Sequence, residues 1–461
     1  MDRRAFLGRL LAGVGAVSLG SACRLTEAEE EKTVGGRGHV LVLGAGMAGL
    51  AAARDLVASG FQVTVLEARE RVGGRVWTDR SLGSPVDMGA SWIEGTKENP
   101  IAALAKECKA RTFDTDEGDV DLRDYDGSRV PEAQVEQIEK DGEELMEALF
   151  EAAEEADKGR SLQEGLDELL EDEELDPLER RALAWVIQNE IVCDVAAETS
   201  QISLKGYGDD DAFDGPSVVF PEGYDQLPRH VARGLDVRQG HRVKHVDHGK
   251  DGVTVETNRG TFQGDAVVVA LPLGVLRANT VTFSPPLPEE KRRAVERLRM
   301  GLLDKVVLAF PRVFWTQGAT FSGYLPEEES AYTSFLHVNE YAQAGALMAF
   351  VGGDTARAME KKKEQDVVDE VMATLRTIHG RGIPDPTGVL ISRWAADPLA
   401  GGSYSYVPVG VSASERDRLA APVGDRLYFA GEATNRTYPA TVHGAWLSGV
   451  REAARIKARL G

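Results

Sequence analysis

The sequence predicts an α/β plus α+β protein: a dinucleotide-binding domain interleaved along the chain with a second domain made of a mixed sheet flanked by helices. Three observations predict it. Residues 39–67 read as strand, glycine turn, helix and strand. Buried-strand patterns return far downstream, at residues 265–272 and 426–430, so the first domain is assembled from separated pieces. Between those pieces the texture changes, first to acidic helices and then to alternating strands.

The glycine turn carries the first chemistry. HVLVLG (residues 39–44) is a Val- and Leu-rich run ending at a glycine, as a buried parallel strand would. Gly44, Gly46 and Gly49 form G-x-G-x-x-G, residues 50–57 read as a helix, and FQVTVLE (61–67) as the next strand. In such a unit the first glycine makes the turn, the second lets a pyrophosphate approach, and the third lets helix and strand pack closely. The anion sits at the helix N-terminus, against Ala45, Gly46, Met47 and Ala48. Glu67 ends the second strand, where a carboxylate binds a ribose 2′-OH and repels a 2′-phosphate. NADP is thereby disfavoured, and NAD and FAD stay open. Downstream, R-x-G-G-R (Arg71, Gly73, Gly74, Arg75) places a guanidinium near the same pyrophosphate.

Here the chain resembles the flavin amine oxidase family, whose FAD signature is E-A-R-x-R-x-G-G-R; this sequence has Glu67-Ala68-Arg69-Glu70-Arg71-Val72-Gly73-Gly74-Arg75. The resemblance implies a Rossmann-type FAD-binding domain with an interleaved substrate domain. The map it suggests gives residues 39–112, 216–281 and 390–461 to the FAD-binding domain and 113–215 and 282–389 to the substrate domain. Residues 1–23 are an address and 24–38 a linker.

The 461 residues suffice for two domains with sizeable cores. The net charge of −22, from 53 basic and 75 acidic residues, argues against a nucleic-acid partner, which wants a basic face. It suits attraction of cations, and an acidic surface kept for solubility explains it equally well. Cys23, Cys108 and Cys193 form no C-x-x-C and no metal-ligand cluster, and whether Cys108 and Cys193 pair stays open. The opening MDRRAFLGRLLAGVGAVSLGSAC has paired Arg3 and Arg4 and an apolar run too short and glycine-rich to span a membrane. It resembles a twin-arginine export signal, with cleavage after a small-residue stretch or lipid attachment at Cys23 as alternatives.

Residues 131–181 are acidic and helical, with a capping box at Ser161-x-x-Glu164. A solvated helix face explains their charge more simply than a funnel for cations. From residue 218 the pattern turns to strands, with hairpin turns at Lys250-Asp251-Gly252 and Asn258-Arg259-Gly260. In DKVVLAF, alternation puts Lys305, Val307 and Ala309 on one face of a strand and Val306, Leu308 and Phe310 on the other. A lysine on an apolar face is costly unless partnered or at a strand end that reaches water. Residues 366–379 read as a helix and 388–394 as a strand.

The C-terminal stretch RLYFAGEATNRTYPATVHGA resembles the same family, closest to the flavin-type histone lysine demethylases and polyamine oxidases. The resemblance implies that Gly431, Glu432, Thr441, Val442 and Ala445 contact FAD, with Glu432 accepting from ribitol hydroxyls. Gly89, Ala90, Ser91, Val243 and Trp394 join the cofactor residues on the same ground. Lys305 takes the family's place beside the flavin through a water, and Tyr404 falls in the aromatic pocket before the ring. In monoamine oxidases the residue before that tyrosine is a cysteine bonded to the flavin; Ser403 stands there, so FAD should be non-covalent. Thr441 occupies the place of a second pocket tyrosine and completes the catalytic candidates. Gly89-Ala90-Ser91-Trp92-Ile93-Glu94-Gly95 resembles plant polyamine oxidases, which implies Trp92 and Glu94 on the substrate path; Glu198 is a second acid candidate. The function implied is oxidation of a C–N bond of a polyamine-like amine by FAD, with O2 as acceptor and a peroxide product. An L-amino-acid oxidase and a flavin-bearing protein without turnover are the alternatives.

Overall fold

The computed structural model describes residues 37–115, 120–328 and 330–461. The address reading of residues 1–23 and the lipid reading of Cys23 lie outside the described residues.

Five parallel strands form the first sheet, in the order Leu427–Phe429, Ala266–Val269, His39–Leu43, Gln62–Leu66 and Asp236–Arg238. Three separated pieces of chain therefore build it. The first four strands are buried on both faces, which is why they read as continuous apolar runs, whereas the edge strand Asp236–Arg238 is exposed at both ends. Val40, Val42, Val63 and Val65 face the helix Met47–Ala58 through Leu50, Ala53 and Leu56. Leu41, Leu43, Leu66, Val267 and Val269 face the other way, onto Val246, Val253 and Val255 of a four-stranded sheet. The C-terminal helix Val442–Leu460 lies along the first helix, with Ala453 and Ile456 in the same core. Gly49 permits the close turn-to-helix approach: a Cβ there would lie 2.0 Å from the Gly44 carbonyl oxygen.

The second sheet has six strands, in the order Gly388–Ile391, Leu303–Ala309, Ala346–Gly352, Ser334–His337, Phe321–Tyr324 and Val120–Arg123. All pairs are antiparallel except the last, which makes the sheet mixed as expected. The alternation read in DKVVLAF holds. Val306, Leu308 and Phe310 pack with Val367, Val371 and Leu375 of the helix Glu364–His379. Val307 lies with Val86, Met88 and Leu336 on the opposite face.

The acidic stretch forms the helices Glu132–Glu155, Leu162–Leu169 and Pro177–Val186, and the capping box at Ser161 is present. The third helix runs on into a seven-residue π-helix, Ile187–Cys193, which no local pattern foretold. Three boundaries of the domain map need correction. Gly388–Ile391 pairs with Leu303–Ala309, so the cut at 389/390 falls inside a substrate-domain strand. Thr282–Ser284 pairs with Val243–His248, so the cut at 281/282 comes one strand early. Phe113–Asp114 joins Val218–Val219 and Trp92–Ile93 in a small sheet, so the cut at 112/113 separates paired strands. Each error has one cause: these strands are defined by partners from tens to about a hundred residues away, on which local periodicity is silent.

Cys108 and Cys193 are free thiols. Among the described residues, no helix is long and apolar enough to cross a membrane, and no group of His, Cys, Asp and Glu could hold a metal ion.

The close approach at Gly49 gives a stability test. Gly49→Ala is expected to cost about 1–3 kcal/mol by overpacking, read as a lower thermal midpoint of the purified protein, whereas an unchanged midpoint would mean that the turn relaxes freely.

Candidate active site

A cavity of about 770 Å³ runs between the two sheets, within the size range of ligand and cofactor sites. Its first end is built by the glycine turn. Gly44, Gly46, Met47, Ala48, Glu67, Ala68, Arg69, Gly74 and Arg75 line it. At Gly46 a Cβ would meet nothing within 4 Å, so the cavity reaches the backbone there. No side chain caps the helix that starts at Met47, which leaves its first N–H groups to an anion. Glu67, buried, accepts from the N–H of Ala45 and of Arg69, each at 2.7 Å, which fixes its carboxylate at the strand end.

Two residues assigned to the cofactor do not line the cavity. Ala45 acts through its N–H on Glu67, and Gly49 is the packing glycine. Arg71 is likewise absent from the wall. It donates to the Gly74 carbonyl at 2.8 Å and lies over the Trp77 ring, and burial lowers its pKa to about 10. It holds the R-x-G-G-R turn, and Arg75 is the guanidinium of that motif on the wall.

Arg75 also joins distant pieces. Its Nη1 donates to Glu432 Oε1 at 2.9 Å and to the Ser403 carbonyl at 2.7 Å. Glu432 further accepts from Ser405 Oγ at 2.6 Å and from the Ala440 N–H at 3.1 Å. Burial pushes the Glu432 pKa up, but Arg75 and Arg416 outweigh it, so the carboxyl stays below the usual range. Arg416, 2% exposed, lines the cavity and donates to Ser405 Oγ; the first of two arginines in SERDRLA, it gave no signal for this role. Gly89, Ala90, Ser91, Val243, Trp394, Gly431, Val442 and Ala445 are on the wall as expected. Trp394 Nε1 donates to the Met88 carbonyl and its ring meets Trp77 edge-on.

Lys305 stands at the middle. It is 4% exposed, and its ammonium donates to the Asp87 carbonyl (2.9 Å), the Gly89 carbonyl (2.7 Å) and Ser91 Oγ (2.6 Å). The cost of the buried charge is met by three acceptors and by the rings of Trp92 and Phe350 at 5.9 and 5.6 Å. Burial lowers the Lys305 pKa, and the charge of Asp87 opposes that; burial raises Asp87 against hydrogen bonds from Thr78 and Tyr224. Lys305 is thus a buried lysine on the cavity wall whose ammonium is held by protein acceptors.

Tyr404 lines the cavity and donates its hydroxyl to the Cys193 carbonyl at 2.7 Å. The Ser403 hydroxyl donates to the Leu303 carbonyl and accepts from its N–H, both at 2.8 Å, so it serves the neighbouring strand. Cys193 is on the wall too, with its thiol pushed up to about 12 by burial. Thr441 lines the cavity, but its side chain caps the C-terminal helix by accepting from the Gly444 N–H and donating to the Tyr438 carbonyl. Thr441 thus has a structural role beside its place on the wall: a helix start needs a cap, and threonine supplies it.

Trp92 and Glu94 are on the wall. Asn99 holds their loop by donating to the Glu94 and Gly95 carbonyls. Glu198 is not on the wall. It accepts from the Asp354 N–H at 2.7 Å at the start of the helix Gly353–Met359, where a carboxylate satisfies free donors. The acids that do face the cavity from this region went unread. Glu143, Glu147, Glu190, Asp194, Asp210 and Asp211 line it, and among the described residues between 120 and 213 no Lys, Arg or His does. Their positions depend on the π-helix and on the helix pair before it, which spacing alone did not reveal.

The donor set fits a dinucleotide joined to a flat ring: uncapped N–H groups and Arg75 for the pyrophosphate, Glu67 for a ribose, and Lys305 with the aromatic wall farther along. The family described as flavin containing amine oxidoreductase matches residues 47–457. Lysine-specific histone demethylase 1 homolog 2 of Oryza sativa subsp. japonica is 38% identical over 433 residues, which are 90% of this chain and 56% of that protein. Polyamine oxidase 2 of Arabidopsis thaliana is 35% identical over 440 residues, 91% of this chain and 88% of that protein. This chain thus spans little more than half of the demethylase relative and most of the oxidase. A solved structure of putrescine oxidase bound to putrescine shares the fold, with a TM-score of 0.75 at 23% identity, covering 92% of this chain and 99% of that one. With that match across nearly its whole described length, the chain belongs to the flavin-containing amine oxidoreductase family, and its cofactor is FAD.

Proposed function

We propose that this protein oxidises a C–N bond of a polyamine-like substrate, with O2 as the electron acceptor and hydrogen peroxide as product. The observation that carries the reading is the charge of the helical part of the wall: among the described residues between 120 and 213, six acids and no Lys, Arg or His line the cavity. Such a surface draws in cations. The polyamine oxidase relatives support the same class.

Bound FAD supplies the acceptor for a hydride from the carbon beside the amine nitrogen. The chain does the rest. Gly46, Glu67 and Arg75 would hold the nucleotide, and Lys305 with Ser91 would set the polar contact at the middle of the cavity. Trp92, Phe350 and Tyr404 exclude water there, and such an environment favours the neutral form of the reacting amine. Glu94, across the cavity, takes a cationic end of the substrate. The amino-acid oxidase alternative wants an arginine for a carboxylate; Arg69, Arg75 and Arg416 are committed to Asp397, Glu432 and Ser405, and Arg242 follows His241, whose N–H donates to the Glu67 carbonyl at the nucleotide end. We keep the twin-arginine reading of residues 1–23 as part of the proposal, so the site of action is outside the cytoplasm.

Peroxide release measured across diamines, polyamines, monoamines and amino acids should give the highest kcat/KM for substrates with two or more charges. The ratio to monoamines should persist at two salt concentrations, since long-range attraction alone fades with salt. Turnover confined to neutral amino acids would reject the reading.

Lys305→Met should keep its FAD while losing reactivity with oxygen. Acid precipitation should release all colour from wild type and variant alike, since Ser403 offers no thioether link. The rate constant for oxygen should fall about 30- to 1,000-fold, the equivalent of about 2–4 kcal/mol for one lost electrostatic contact. In wild type that rate should decline at alkaline pH, below the range of an ordinary lysine because burial lowers the Lys305 pKa, and the variant should show no such decline. An unaltered oxygen reaction in the variant would leave Lys305 as a purely structural residue.

Replacing Arg3 and Arg4 by lysine should keep the protein in the cytoplasm when cells are fractionated; export of the variant at the wild-type level would dismiss the address reading.

A further inference from the structure

The Lys305 ammonium has three acceptors, and all of them are neutral: two carbonyls and the Ser91 hydroxyl. They satisfy its donors and leave its charge unbalanced. A buried charge is costly unless an opposite one stands near it. Among the described residues, the anion that acts on Lys305 is the carboxylate of Asp87. It belongs to the same residue whose carbonyl accepts from Nζ at 2.9 Å, so it lies within one residue's reach of the ammonium. Both residues are buried, and the Asp87 carboxyl makes its hydrogen bonds elsewhere.

The surroundings of that carboxyl are built for its ionised form. Asp87 lies opposite Thr78 in a ladder of two short strands, Thr78–Asp79 and Val86–Asp87. The Thr78 hydroxyl accepts from the Asp225 N–H at 3.1 Å, so its own hydrogen goes to Asp87 Oδ1. The Tyr224 N–H, which can only donate, reaches Oδ1 at 3.0 Å and Oδ2 at 3.2 Å. Each group that bonds the carboxyl is therefore a donor, and a protonated Asp87 would find no free acceptor among them for its O–H. Burial works against the ionised form, and these bonds and the Lys305 charge work for it. The other charged and titratable groups nearby are paired, neutral or turned away. Asp225 is the next acid, and Arg80 and Arg229 pair with it. Tyr224 and Tyr341 are phenols kept neutral by burial first and then by nearby carboxylates, Glu94 and Asp87 for the one and Asp87 for the other. Asp304, next to Lys305 in the strand, serves the opposite face, where it accepts from Ser392 Oγ and the Trp394 N–H.

We propose that Asp87 is a positioning residue for the oxygen reaction: its carboxylate keeps the Lys305 ammonium charged in the cavity wall and so sets the pH range in which Lys305 assists that reaction. This rests on the reading of Lys305 given above and names what maintains it. Asp87 touches neither substrate nor cofactor and acts through the lysine. Burial lowers the Lys305 pKa, and the Asp87 charge raises it. With that charge gone, the ammonium gives up its proton at lower pH, and its help is lost sooner as pH rises.

The test titrates the purified holoprotein to full reduction with dithionite, mixes it with O2 and follows flavin reoxidation from about pH 6 to about pH 10. No amine enters, so the result does not depend on the substrate. Asp87→Asn keeps the shape of the side chain and an acceptor oxygen for Thr78 and Tyr224. Its alkaline decline should begin about one pH unit or more below that of wild type, which makes it about tenfold slower where wild type starts to decline. Below the shifted decline the two rates should agree. Thr78→Val, which removes a donor to the carboxylate, should move the decline the same way by less, and Thr78→Ser, which keeps the hydroxyl, should leave it in place. Thermal midpoints of the holoproteins give a readout apart from turnover. Asp87→Asn combined with Lys305→Met should lower the midpoint by less than the sum of the two single losses, because each single change leaves one member of a buried pair alone. A wild-type pH profile in Asp87→Asn, or additive thermal losses, would overturn the role of Asp87. If Asp87→Asn retains no FAD, the Thr78 variants decide, and equal profiles in Thr78→Val and Thr78→Ser would overturn it. A Lys305→Met protein that matches wild type at every pH would overturn instead the Lys305 reading on which the role rests.

Discussion

The Lys305 ammonium, buried where the six-stranded sheet meets residues 87–91, is the contact on which the cavity depends. Its three donors are matched by two carbonyls and one hydroxyl of a segment that belongs to the dinucleotide side. A strand of the substrate domain is thus bolted to the loop that follows the R-x-G-G-R turn. Desolvation alone would drive such a group out of the core, and only a full set of acceptors makes its burial tolerable. Because the acceptors are backbone atoms and Ser91, they fix the loop as much as the loop fixes the lysine. Trp92, next in sequence, is then held against Phe350 of the same sheet. One interaction so sets the distance between the place for the cofactor and the aromatic wall in front of it.

The two domains supply opposite chemistry to one space. From the dinucleotide side come N–H groups and guanidinium groups, suited to phosphates; from the helical part of the substrate domain come carboxylates, suited to ammonium. Within the dinucleotide side, Arg75 and Glu432 join two separated pieces of chain and neutralise each other at 2.9 Å. With Arg416 and Ser405 they form a buried hydrogen-bonded network, which favours a rigid floor over one that rearranges as charge enters or leaves. An anionic cofactor and a cationic substrate can be held close together without either occupying the other's place.

Much of this was legible in the sequence wherever the signal was local. The βαβ unit, the face alternation around Lys305, the Ser161 capping box and the helix start at Thr441 each follow from spacing within a few residues. Glu67, Arg75 and Trp394 were found because their motifs are contiguous. What escaped depended on distant partners. Glu198 looked like a site acid, yet its role was set by the N-terminus of a helix more than a hundred residues on. Thr441 looked like a pocket residue, and the cap claimed its hydroxyl. Glu190 was passed over because it lies beyond the acidic stretch read as helical, in the π turn Ile187–Cys193 that no local spacing marked. Arg416 was hidden in an ordinary polar helix whose burial no pattern announced.

The most direct measurement of the central claim, that one cavity brings a bound flavin and a cationic amine together, is anaerobic mixing of the purified holoprotein with putrescine while the visible flavin band is followed. Joined sites predict full bleaching of the band, reversed on admission of air, at a concentration well below that needed with butylamine. A band that stays unbleached by any amine would contradict the claim and leave a flavin-bearing protein without turnover.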